Sequence, residues 1–120
     1  MEDFKNMFEP NSKALAMGLI LRDIVNQSFQ NIEESIVGGA KVKLALYSRG
    51  GTENVLCGIQ KGAEDTCMLY VHHVDSITHN RLKFTGKGKH AKRIKFSSER
   101  DIVKEDVEWL FSLVNQNSSY

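Results

Sequence analysis

The chain has 120 residues, 41% of them hydrophobic and 26% charged, with a single Pro and a formal net charge of +1. That length suits one domain spanning residues 1–120 that buries roughly two thirds of its unfolded surface, and the composition excludes collagen-like and strongly disordered chains. The small net charge conceals an asymmetry: seven of the sixteen basic residues lie between Arg81 and Lys95, no acid occurs from Ser76 to Ser98, and the remainder holds nine basic against fifteen acidic residues.

The opening "MEDFKNMFEPNSK" lacks the basic start and apolar run of a signal peptide. No apolar stretch approaches the roughly 20 residues that a membrane helix needs, so the expected location is the cytoplasm. Residues 1–11 read as an N-terminal arm carrying Phe4, Met7 and Phe8 at helical spacing, interrupted by Pro10. Asn11 or Ser12 then caps a helix from about Ser12 to Phe29, because the first free N–H groups need an acceptor. Ala14, Met17, Leu21, Ile24, Val25 and Ser28 fall on one stripe of it. "NIEESIVGG" reads as a transition broken by Gly38 and Gly39. "KVKLALYS" alternates, with Val42, Leu44 and Leu46 on one face and Lys41, Lys43 and Tyr47 on the other.

"NVLCGIQ" and "TCMLYVHHV" read as strands joined by "KGAED". A hairpin centred on Gly62 sets Cys57 nearly opposite Cys67, with Val55, Cys57, Ile59, Cys67, Leu69 and Val71 on the inner face. The two thiols lack a C-x-x-C spacing and read as small core residues. A short strand near Arg81–Thr85 precedes "FTGKGKHAKRIKF", Phe84 to Phe96, which holds five Lys or Arg and no acid. Its end, "KRIKF", reads as a strand with Ile94 and Phe96 inward and Arg93 and Lys95 in water. Ser98 and Asp101 form a capping-box pattern. A last helix follows from about Val103 to Asn115, with Val107, Leu110, Phe111 and Val114 as its core stripe. Trp109 and Leu113 make a second apolar face, covered either by the N-terminal arm or by a second subunit in a homodimer. Residues 116–120 read as a frayed tail. The fold class is α+β: an N-terminal helix, an antiparallel meander of about five strands and a C-terminal helix, in a two-layer sandwich.

The glycines of "TGKGKH" permit a turn whose N–H groups form an anion-binding concavity. Lys87, Lys89, His90, Lys92, Arg93 and Lys95 surround it, together with Gly86 and Gly88. The same residues also fit a solvated loop whose lysines cover apolar neighbours. His90 follows Gly88-Lys89 where a Walker A motif needs Ser or Thr. Base-stacking aromatics are confined to Phe84 and Phe96, which argues against specific nucleic-acid binding. His72 and His73 are adjacent in a strand and point to opposite faces. Glu33 and Glu34 offer hard oxygen donors for a metal such as iron, or simply stay in water. No nucleophile is framed by a G-x-S-x-G elbow, and catalysis on an unknown small molecule is the least supported reading.

"GKGKHAKRIKF" resembles the signature of the YdhG-like family, bacterial domains of unknown function, which is similar to G-T-G-K-x-x-R-H-[IV]-K-[LIV]. Gly86, Gly88, Lys89, Ile94, Lys95 and Phe96 fall on that pattern; Lys92 and Arg93 stand where Arg and His are usual, and Lys87 replaces a small hydroxyl residue. Upstream, "IEESIVGGAK" is similar to the family's E-x-x-I-x-W-G-x-P through Glu33, Ile36 and Gly39, with Gly38 in the Trp position and Lys41 in the Pro position. The resemblance implies a small frataxin-like fold, and for some relatives an intracellular iron-chaperone role. The leading expectation is a non-enzymatic binding domain whose basic glycine-containing loop takes a small anionic ligand or an acidic protein surface, with no cofactor; iron held by Glu33 and Glu34 is the alternative.

Overall fold

The computed structural model describes residues 2–38, 43–50, 54–72 and 91–117. Helix α1 (Glu2–Lys5) leads into α2 (Lys13–Ser28). Strands β1 (Glu33–Gly38), β2 (Lys43–Ser48), β3 (Val55–Lys61), β4 (Cys67–His72) and β5 (Ala91–Phe96) follow, and α3 (Lys104–Asn117) closes the chain. The strands form one antiparallel sheet in chain order. Helices α2 and α3 pack against each other and over the middle strands, giving the expected α+β arrangement.

Helix α2 forms where the apolar stripe demanded it. Ser12 accepts a hydrogen bond from the Leu15 N–H at its start, and Ala14, Met17, Leu21, Ile24 and Val25 are buried. A second acceptor comes from far along the chain: the Asp65 carboxylate receives the N–H groups of Lys13 (3.1 Å) and Ala14 (3.0 Å). Asp65 sits in the turn between β3 and β4, where it and Glu64 adopt left-handed backbone (φ 59° and 56°), a conformation Asp tolerates better than most residues. Val107, Leu110, Phe111 and Val114 of α3 join the same core. The Ser98–Asp101 pattern closes a 3-10 turn (Glu99–Asp101) ahead of α3 instead of opening the helix itself.

Four expectations are corrected. The "NIEESIVGG" transition contains strand β1, which pairs with β2 from Glu33↔Ser48 to Gly38↔Lys43. In β2 the core face belongs to Ala45 and Tyr47, while Leu44 and Leu46 are half-buried on the other side. The β3–β4 hairpin is centred two residues later than Gly62, so Cys57 lies opposite Val71 and Cys67 opposite Lys61. An even shift preserves side-chain parity, and Cys57, Ile59, Cys67, Leu69 and Val71 still share the buried face. Finally, the N-terminal arm does not cover Trp109. Phe4 and Phe8 are buried against α2, where a Cβ on Gly18 would stand 2.9 Å from the Phe8 ring. Trp109 stays 37% exposed. The strand expected near Arg81–Thr85 lies outside the described residues.

The sheet's second face is not bare. Leu56 to Ile59 are all buried in β3. A Cβ on Gly58 would meet Leu44 Cδ1 at 3.2 Å and Leu46 Cδ2 at 3.4 Å, so the missing side chain lets both leucines fold across the central strand.

Candidate binding site along strand β5

Strand β5 alternates "AKRIKF". Ile94 and Phe96 enter the core, Arg93 and Lys95 are exposed on the opposite face, and Lys92 is half-buried on the helix side. The register sets Lys92 opposite Val71, Arg93 opposite Tyr70 and Lys95 opposite Met68. The cations expected to form one corner are therefore divided between two faces, as a period of two requires. Gly86, Lys87, Gly88, Lys89 and His90 lie outside the described residues. On the outer face Arg93 and Lys95 stand beside a half-buried surface of Leu44, Leu46, Met68 and Tyr70. The Tyr70 hydroxyl donates to Gln60 Oε1 at 2.8 Å, which fixes the ring in that surface. His72 shares this face by parity.

At the end of β5 a cavity of about 450 Å³ lies between Ile94–Ser97 and the following turn, with Arg100, Asp101 and Val103 on its far wall. Asp101 Oδ2 accepts from the N–H groups of Ser97 and Ser98, each at 3.1 Å. These bonds end the strand at Phe96 by diverting the next two amides. A second cavity, of about 430 Å³, lies beside the start of α2. The amides of Lys13, Ala14 and Leu15 at the helix start are already taken by Asp65 and Ser12, so none of the three is left for an anion.

The acidic candidates separate. Glu33 and Glu34 are neighbours in β1 and face opposite sides. Arg22 grips Glu34 through Nε (2.6 Å) and Nη2 (2.9 Å), and the Tyr47 hydroxyl donates to Glu34 Oε2 at 2.7 Å. The Arg22 guanidinium also stacks 5.1 Å from the centre of the Phe4 ring. Burial pushes the Glu34 carboxyl upward, but the hydrogen bonds from Arg22 and Tyr47 outweigh it and hold the group below its usual value. Burial, then the bond to Glu34, pushes the Tyr47 hydroxyl up; the bond to Glu34 raises Arg22. Glu34 is thus an engaged structural acid, and the pair Glu33/Glu34 does not converge on a metal. Among the described residues no group of three or more His, Cys, Asp or Glu is placed to hold one.

Cys57 and Cys67 are fully buried. Burial raises both thiols, Cys67 to about 12, which leaves no thiolate for nucleophilic work. Trp109 and Leu113 share a flank of α3, Leu113 packed against the core. Sequence reasoning missed the Arg22–Glu34–Tyr47 cluster, whose members are 12 and 13 residues apart with no motif linking them, and missed Arg100 as a neighbour of β5. The described residues contain no helix long and apolar enough to cross a membrane. No protein-family model, curated protein or solved structure matches the chain.

Proposed function

We propose that this chain is a non-enzymatic binding domain that holds an acidic protein partner along β5. One observation carries the reading: Arg93 and Lys95 are exposed on the same face as the half-buried Leu44, Leu46, Met68 and Tyr70. Cations at the rim of an apolar patch steer an acidic partner and fix its register, and the basic stretch sits on a body with six more acids than bases. On its likeness to the YdhG-like signature, with Gly86, Gly88, Lys89, Ile94 and Lys95 in place, we further propose that the domain is YdhG-like, frataxin-like in fold, and works in the cytoplasm. Iron handling by Glu33 and Glu34 draws no support from their placement.

The test is fluorescence anisotropy with a labelled ten-residue poly-glutamate peptide at two salt concentrations. Two exposed ion pairs contribute at most about 1 kcal/mol each, so Arg93→Ala with Lys95→Ala weakens binding by about tenfold and flattens its salt dependence. Lys104→Ala, a change at the exposed start of α3, leaves both unchanged. Equal affinity in the wild type and the β5 double variant overturns the reading. Competition by free phosphate or citrate at equal charge reassigns the site to a small anion.

A further inference from the structure

We infer that the cavity between the end of β5 and the Glu99–Asp101 turn receives one carboxylate side chain of the acidic partner, held between Arg100 and Lys95. This deepens the proposed function and rests on it.

The site is built on a tight turn. The Asp101 carboxylate accepts the Ser97 and Ser98 amides. The Asp101 N–H donates to the Ser98 carbonyl and the Ile102 N–H to the Glu99 carbonyl, each at 3.1 Å. These bonds fix the backbone that carries Arg100 before a partner arrives, so binding has only the side chain left to order. Arg100 lines the cavity of about 450 Å³ beside β5 and also the one of about 430 Å³ beside the start of α2. It therefore stands between them. Lys95, exposed in β5, lines the first of the two.

The charge of this pair is not spent elsewhere. Among the described residues neither Lys95 nor Arg100 forms an ion pair or a side-chain hydrogen bond. Residues 73–90, outside the described residues, carry one acid, Asp75, against Arg81, Lys83, Lys87 and Lys89. Their net charge adds to that of Lys95 and Arg100. Asp101, the acid in the cavity wall, already accepts two backbone amides. Glu99 lines the cavity beside α2 and not this one. A carboxylate entering here meets two cations against one engaged acid.

The walls also distinguish a side chain from a free anion. Val103 is 36% exposed and lines the far wall. It offers apolar contact to the methylene stem of a Glu or Asp. The Arg100 guanidinium presents a planar fork matched to a carboxylate, and Lys95 adds a point charge. Inorganic phosphate has no stem to lay against Val103.

The experiment is a ¹⁵N NMR titration of the whole chain with a ten-residue poly-glutamate peptide. The Arg100 side-chain Nε–H and the Ser97 amide shift with the same midpoint as the amides of Arg93 and Lys95. Arg100→Gln, at an exposed side chain with no bond to lose, weakens peptide binding by about fivefold. Glu99→Gln, an equal change in net charge next door, alters it by less than about twofold. Shifts at Arg93 and Lys95 with Arg100 and Ser97 unmoved overturn the inference and leave the acidic-partner reading standing. No shift at any of the four overturns both. Changes of equal size and opposite sign in the two variants show general charge attraction and overturn the carboxylate pocket. Inorganic phosphate that moves the Arg100 Nε–H with the same midpoint as the peptide assigns the cavity to a free anion and overturns it too.

Discussion

Glu34 shows how much one side chain's neighbours decide. It sits in a strand that is outermost among the described residues, with 22% of its side chain in solvent, yet Arg22 and Tyr47 both bind it. Removing one partner of a fully buried pair costs about 3–5 kcal/mol; with solvent reaching this carboxylate, Glu34→Ala lowers unfolding free energy by about 2 kcal/mol, read from urea melts at neutral pH. Tyr47→Phe removes one hydrogen bond to a charged acceptor and lowers it by about 1.5 kcal/mol. The pH dependence has a definite sign. Because the folded state holds Glu34 below its ordinary value of 4.5, its contribution is complete above that value and is lost as pH falls through the folded one. The stability gap between wild type and Glu34→Ala therefore narrows below about pH 4.5. A gap that widens in acid contradicts the assignment.

The packing of whole elements explains which parts of the fold were legible. The helices were, because six positions of α2 and four of α3 repeat at the helical period and nothing competes with that signal. Strand β2 was not, because it carries two plausible apolar series, Leu44/Leu46 and Ala45/Tyr47. The choice rests on Glu34 across the sheet and on the absent side chain at Gly58, neither of which β2 contains. Strand β1 was hidden for a related reason: its inward residues are Glu34 and Ile36, one charged and one apolar, so no alternation shows. The candidate site was half legible. Residue types in β5 revealed the positive charge and set Arg93 and Lys95 in water, but the expected single corner overlooked that Lys92 falls on the other face, and Arg100 comes near the strand's end through the Glu99–Asp101 turn. The arm and α2 supply a test at this scale. Ala favours a helix interior over Gly by about 1 kcal/mol, but a Cβ at Gly18 meets the buried Phe8 ring. Gly18→Ala is expected to loosen residues 2–8, so that trypsin cuts at the exposed Lys5 faster than in wild type and the melting midpoint falls, because Phe4 and Phe8 belong to the core.

Across the molecule as a whole, the two cysteines report on one shared core. They share a face, but the register separates them by about 13 Å along the strands, beyond the roughly 7 Å that a disulfide spans. Both thiols stay unreactive toward Ellman's reagent in the folded protein, two equivalents appear in denaturant, and the native labelling rate follows global unfolding. Fast labelling of either thiol under native conditions contradicts their burial. The lone Trp109 reports on the outside instead: at 37% exposure it is quenched by acrylamide at low protein concentration, and shielding that grows with concentration identifies the flank it shares with Leu113 as a subunit contact. The bond from Asp65 to the start of α2 bears on synthesis as well. Lys13 and Asp65 are 52 positions apart, so on the ribosome the first long helix emerges before the group that completes its N-terminus has been translated. Until the β3–β4 turn appears, that helix lacks its second terminal acceptor, and a nascent chain halted short of residue 65 holds it more weakly than the finished protein does.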